Sequence, residues 1–290
     1  MKKPGKARIG ESQFKEIVRR FFKSKLAVFG LILFTVILFF AIFAGLFGTY
    51  QQSIDQNILQ KLQKPSSEHW FGTDNYGRDL FLRCIYGARI SLIIGISSSA
   101  VSAILGTIIG MSAAYYGGIY ENIMMRLMDV FSAVPTILLA ICLVAALGTN
   151  TTNLILAMSL ARTPGFARMA RGSALTVAGQ EYIEAARCGG TGDIRIIFRQ
   201  ILPNAVAPLI VTFTGNVSGM ILQTASLSFL GLGVPAPAPE WGAIISGAKG
   251  FMRAYPYMIW FPGLCILATA LSISLIGDGL RDALDPKLKS

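Results

Sequence analysis

Few residues in this sequence are of types that carry out covalent chemistry, and their spacing argues against it. There is one histidine, His69. The four cysteines, Cys84, Cys142, Cys188 and Cys265, form no CxxC pair, and Cys142 and Cys265 sit in apolar runs, where they read as small buried hydrophobes. Glu181 and Glu184 are close enough to act as paired carboxylates, but no histidine, nucleophile or metal-ligand set accompanies them. No Gly-rich phosphate loop followed by Lys-Ser/Thr occurs. Asp129 is a carboxylate close to the start of an apolar run. An intramembrane carboxylate raises a functional question by default, and both a pairing or helix-end role and a substrate contact remain open. The expectation is a chain that is not an enzyme, binds no cofactor or metal itself, and works through contact.

Composition says where that contact takes place. Of the 290 residues, 53% are hydrophobic and only 14% are charged, and the mean hydropathy is +0.57. Globular chains carry about 25% charged residues. The charges are segregated, leaving uncharged windows of about 20 residues, as in a polytopic membrane protein. The net charge of +11 does not imply nucleic acid, because nine Lys and Arg residues fall within the first 25 positions, directly before an apolar run. Basic residues flanking a span mark its cytoplasmic side.

The expected architecture is all-α, with six transmembrane helices and both termini cytoplasmic. Residues 1–25 form a basic segment in which Phe14, Ile17, Val18, Phe21 and Phe22 fit one face of a helix on the membrane surface; a solvated tail is the alternative. The first span covers 26–48, with no charge between Leu26 and Phe47. Residues 49–88 form an extracytoplasmic loop with four basic and four acidic residues; Asp79 to Tyr86 is expected as a short interfacial helix, with Arg89 anchoring the next span. That second span, Ile90 to Ala114, carries a small-xxx-small pair at Gly106 and Gly110, suited to close helix contact. The third span, from about Leu127 to Leu147, contains Pro135. The fourth starts near Leu154 and holds Arg162, Arg168 and Arg171, which must face protein or snorkel. The fifth covers Val206 to Leu230 and the sixth about Tyr257 to Ile276, with a charged tail after it.

One polar interval, 180–204, stands between the fourth and fifth apolar runs. Gln180 to Arg187 reads as a helix, Gly190 and Gly192 permit a sharp turn, and Asp193 opens a second helix with Arg195 and Arg199 on one face. Ile194, Ile197, Phe198 and Ile201 are expected on the opposite face. In so short a loop Ile183, Ile197 and Phe198 have no core to fill, so a docked partner is expected to cover them.

These residues carry a resemblance. Glu184-Ala185-Ala186-x-x-x-Gly190, ending in Leu202-Pro203-Asn204, resembles the "EAA" coupling loop of binding-protein-dependent ABC importer permeases, except that the family prefers an aliphatic residue at Gln200. Gly72-Thr73-Asp74-x-x-Gly77-Arg78-Asp79, Tyr86-Gly87-Ala88-Arg89-x-Ser91-Leu92, Phe229-Leu230-Gly231-Leu232-Gly233 and Pro239-Glu240-Trp241-Gly242 resemble segments of the dipeptide, oligopeptide and nickel branch. Asp278-Gly279-Leu280-Arg281-Asp282-Ala283-Leu284-Asp285-Pro286 resembles the carboxy-terminal signature of its C-type member.

The resemblance implies a type I ABC importer transmembrane domain over 89–280, with a coupling loop at 180–204 and a tail at 281–290. It implies a second, B-type permease, two ABC ATPase subunits that hold ATP and Mg, an extracytoplasmic substrate-binding protein, and surrounding lipid. The coupling residues it points to are Glu184, Ala185, Ala186, Gly190, Arg195, Phe198 and Pro203. Its extracytoplasmic motif residues are Gly72, Thr73, Asp74, Gly77, Arg78, Asp79, Glu240 and Trp241. The implied cargo is a di- or oligopeptide, with nickel chelates, glutathione or another small solute as alternatives. A secondary transporter or a non-transporting membrane scaffold is the reading from a different class.

Overall fold

The computed structural model describes residues 9–284. Twelve α-helices follow in order: α1 Ile9–Lys23, α2 Lys25–Ile42, α3 Tyr50–Ile54, α4 Leu80–Tyr116, α5 Gly118–Ser132, α6 Thr136–Leu147, α7 Thr151–Ala178, α8 Glu181–Cys188, α9 Asp193–Ile196, α10 Leu202–Phe229, α11 Trp241–Ala248 and α12 Tyr257–Leu284. No strand forms among the described residues beyond one isolated bridge, Thr73 to Asp79.

Helix ends follow local chemistry. Side-chain oxygens of Ser24, Thr49, Asp79, Asn150 and Glu240 accept from the first-turn N–H groups of α2, α3, α4, α7 and α11, which would otherwise lack partners. Gly117 (φ +64°) closes α4 and Gly148 (φ +91°) closes α6, in a backbone region that costs side-chain-bearing residues energy.

Among the described residues four helices are long and apolar enough to cross a membrane: α2, α4, α12 and the unbroken run from Asp193 to Phe229. The pair α5–α6 qualifies only as a unit and is bent by 84°. Pro135 stands at the break, so the region expected as the third span is divided between two short helices. A further long helix, α7, has 28 residues, enough to cross, but its arginines lower its hydropathy. They are matched by partners on neighbouring helices: Arg168 to Asp129 at 3.1 Å in an exposed pair, Arg171 to Glu121 at 2.5 Å, and Arg162 Nε to Asn216 Oδ1 at 3.0 Å. Asp129 therefore has the pairing role that its sequence context left open.

Two boundaries differ from expectation. α4 is one helix of 37 residues that starts at Leu80, with no separate interfacial helix before it. Its arginines are accommodated by backbone carbonyls: Arg83 Nη1 donates to Ser53 O (3.1 Å), and Arg89 donates to Ala41 O and Ile42 O. α12 likewise continues to Leu284, past the expected end of the sixth span. Asp285 and Pro286 of the carboxy-terminal signature lie outside the described residues. α1 packs through Ile17 and Phe21 onto the end of α12, beside Leu280 and Ala283, while Val18 and Phe22 of the expected apolar face stay exposed. Phe14 of the expected apolar face lies outside the residues with described side chains.

The small-residue pair acts as expected. A Cβ on Gly106 would come within 2.3 Å of Phe166 Cβ, and one on Gly110 within 2.2 Å of Ala167 O. α4 and α7 therefore pack at near backbone contact. Cys84 is buried, but Cys142, expected as a buried hydrophobe, is exposed on α6.

Candidate functional site

The family-like residues collect at opposite ends of the bundle, and the two ends are built differently. At one end, the segment before α4 folds into a polar knot. Asp74, 4% exposed, accepts from Tyr76 N (2.8 Å) and Arg78 N (3.0 Å) through Oδ1, and from Arg78 Nε (2.7 Å) through Oδ2. Arg83 approaches the same Oδ2 at 3.6 Å. Thr73 Oγ1 accepts from Gln63 N at 2.9 Å, and Tyr257 Oη of α12 donates to Gln63 O and Thr73 O. Asp79 caps α4 with Oδ1 and meets His69 Nδ1 with Oδ2 at 2.7 Å. Gly77 has φ +74°, and a Cβ there would fall 1.7 Å from Asn57 O; Gly72 has φ +78°, with Gln63 O at 2.5 Å.

Glu240 and Trp241 join this knot from the far side. Glu240 is 1% exposed and caps α11 through Gly242 N (3.0 Å) and Ala243 N (2.9 Å), while Ser91 Oγ of α4 donates to it at 3.1 Å. Trp241 Nε1 donates to Cys84 O at 2.8 Å. All eight residues named for this motif are thus packed into one scaffold that clamps α4, α11 and α12. Their contacts are internal.

At the other end, 180–204 forms the α8–α9 hairpin. Gly190 has φ +75°; its N–H donates to Arg187 O, and Thr191 N donates to Ala186 O at 3.0 Å. This is a Schellman closure with glycine at its left-handed position. Gly192, at φ −64°, is in ordinary extended backbone, so only Gly190 requires glycine's freedom. The hairpin is pinned to α4: Arg187 lies 4.2 Å over the Tyr115 ring and donates to Tyr115 O (2.9 Å), and Tyr115 Oη donates to Asp193 Oδ1 (2.8 Å).

The apolar residues of the hairpin divide differently from the sequence reading. Ile183, Ile196, Ile197 and Ile201 are buried in a cluster with Met111, Ala114, Ala170, Ala174 and Val177 of α4 and α7. Ile183 and Ile197 therefore have a core in their own chain, because the loop folds back onto the bundle. Ile194 (74% exposed), Phe198 (52%) and Tyr182 (47%) point away from it, together with exposed Glu184, Ala185, Arg195 and Arg199 and half-buried Ala186. Tyr182 and Ile194 were not singled out as contact residues; both flank the family-like positions.

Pro203 lies in the first turn of α10. α9 passes through a π turn at Ile197–Ile201 directly into α10. Pro203 has no N–H to donate, and its ring would press on the carbonyl one turn back. The widened turn absorbs both effects, with Leu202 N bonded to Ile197 O. α9, the π turn and α10 form one unbroken helical run from Asp193 to Phe229, while α8 lies across the Gly190 turn.

Comparison with known proteins places this architecture. The model of the binding-protein-dependent transport system inner membrane component matches residues 106–290, and that of the N-terminal TM domain of oligopeptide transport permease C matches residues 12–65. The chain is 44% identical over 279 residues to the dipeptide transport system permease protein DppC of Alkalihalophilus pseudofirmus, covering 96% of this chain and 91% of that one. It is 41% identical over 278 residues to the oligopeptide transport system permease protein OppC of Bacillus subtilis, covering 96% and 91%. It is 42% identical over 277 residues to the glutathione transport system permease protein GsiD of Pectobacterium atrosepticum, covering 96% and 92%. Among solved structures, an inward-facing form of the MetNI methionine ABC transporter aligns with a TM-score of 0.56 at 19% identity, covering 71% of this chain and 97% of that one. The fold is that of an ABC importer transmembrane domain, and the chain belongs to the family of binding-protein-dependent transport system inner membrane components.

Proposed function

We propose that this chain is the C-type permease of an ATP-driven importer that carries di- or oligopeptides across the cytoplasmic membrane. It forms the pore with a homologous B-type permease. Of two ABC ATPase subunits, which hold ATP and Mg, one docks at the α8–α9 hairpin, and an extracytoplasmic binding protein delivers cargo at the knot end. Both termini are cytoplasmic in this arrangement, consistent with the nine basic residues ahead of the first span.

The observation that carries the reading is the rod from Asp193 to Phe229, with Ile194 and Phe198 exposed at its tip. Closure of the ATPase dimer displaces that tip, and the helical run, unbroken through its π turn and Pro208, carries the displacement into the bundle. Such a device needs two arrangements of the bundle, each favoured by a different ligand state. A secondary transporter has no need of a docking rod.

Peptide is favoured as cargo by the dipeptide and oligopeptide permeases named above. Glutathione, itself a modified tripeptide, is the second reading, supported by the similarity to the glutathione permease. The test is reconstitution of the four membrane and ATPase subunits with the binding protein in vesicles. ATP-dependent uptake of a dipeptide or tripeptide is expected. Uptake of glutathione alone would move the cargo to the second reading, and uptake driven by an ion gradient without ATP would overturn the mechanism.

A further inference from the structure

Arg162 differs from the other arginines of α7. Arg168 and Arg171 each meet a carboxylate, Asp129 and Glu121. Among the described residues Arg162 makes no ion pair. Its Nε donates to the neutral amide of Asn216 on α10 at 3.0 Å. It lies eleven residues into α7, about 17 Å from the helix start at 1.5 Å per residue, which is the middle of a bilayer core of about 30 Å. A guanidinium stays charged in protein. Held half-buried at that depth beside an amide, it is a cation awaiting an anion.

The α10 surface around it is smaller and more polar than the outward face of α2. α2 presents Phe29, Ile32, Val36 and Phe39 outward, all large and apolar. The outward side of α10 around Asn216 carries exposed Gly215 and part-exposed Thr212 and Gly219, with Gln223 part-exposed and Leu222 exposed one turn further on. Arg162 Nη2 lies over Gly219, 3.8 Å from where a Cβ would stand, so small side chains leave the guanidinium open on that side. With Nε committed to Asn216, the two Nη groups present the end-on fork that matches a carboxylate.

Resting on the peptide-importer reading above, we propose that Arg162, oriented by Asn216, binds the terminal carboxylate of the peptide midway along the translocation path. Asn216 fixes the guanidinium without neutralising it, whereas a carboxylate at that position would occupy the site.

The experiment compares ATP-dependent uptake of a dipeptide with that of its C-terminal amide, each saturating the binding protein, in vesicles holding the complete transporter. Wild type is expected to favour the free acid. Arg162→Gln is expected to lower free-acid uptake about ten-fold, the value of a charge-assisted hydrogen bond, while leaving amide uptake unchanged. Arg162→Lys is expected to restore part of the preference. Asn216→Asp, which keeps the residue's shape and supplies a resident carboxylate, is expected to abolish the preference in the same way. Equal loss of both substrates in both variants would make the pair structural and overturn the proposal, as would a wild type indifferent to amidation. A wild type that moves glutathione but neither dipeptide overturns the peptide reading and this inference with it, whereas indifference to amidation overturns this inference alone.

Discussion

Asp74 and Glu184 both belong to segments with the same family resemblance, yet the structure treats them in opposite ways. Asp74 is buried and commits both oxygens to Arg78 and its neighbouring backbone, while Glu184 is exposed on a helix whose outward neighbours include Ala185 and, across the turn, Ile194. At the knot the carboxylates of Asp74, Asp79 and Glu240 find their partners within the chain, so the residues hold α4, α11 and α12 together. At the hairpin, apolar and charged groups remain uncovered, so the residues are disposed to meet another surface. Side chains that resemble a family signature thus divide into scaffold and contact by burial. Substitutions at the two ends should separate stability from transport.

The largest loss of stability is expected from Asp74→Ala. It leaves the guanidinium of Arg78 and that of Arg83 in a site with side-chain exposures of 9% and 4%. Removing one member of a buried pair costs about 3–5 kcal/mol. Thermal unfolding in detergent should show it, and an unchanged midpoint would break the scaffold assignment. Next, Glu240→Ala removes the α11 cap and the acceptor of Ser91, a loss of about 1–2 kcal/mol by the same assay. Gly190→Val should cost about 1–2 kcal/mol, because a Cβ there meets open space and only the left-handed backbone is penalised. Its main effect is expected on coupling: ATP hydrolysis continues while uptake falls, and normal uptake would sharpen the comparison against the hairpin. Smallest in stability is Phe198→Ala, within about 0.5 kcal/mol for an exposed site. ATPase binding to membranes holding this variant should nonetheless weaken, and unaltered binding would remove Phe198 from the contact surface.

Much of this was legible before folding. Uncharged runs located α2, α10 and α12, and the Gly106–Gly110 spacing foretold the close α4–α7 contact. The polar interval 180–204 marked the hairpin, including the turn at Gly190. The misreadings have physical causes. The start of α4 was hidden because Arg83 and Arg89 look like interface residues, and only the fold brings them the carbonyls of Ser53, Ala41 and Ile42. Helical spacing put Ile194, Ile197, Phe198 and Ile201 on one face. The π turn and the packing against α4 and α7 divide them, burying Ile197 and Ile201 and exposing the other two. Arg162 and Asn216 are 54 residues apart in sequence, so their pairing belongs to tertiary structure alone.

The central claim is that the exposed tip of the α9–α10 rod meets an ATPase subunit. It is tested most directly by cysteine cross-linking in the assembled, transporting complex, with the exposed Cys142 and Cys188 replaced by serine. Ile194→Cys should cross-link to the ATPase subunit, and Trp70→Cys, which is 58% exposed at the knot end, should not. A complex that transports normally while Ile194→Cys gives no cross-link to the ATPase would contradict the account.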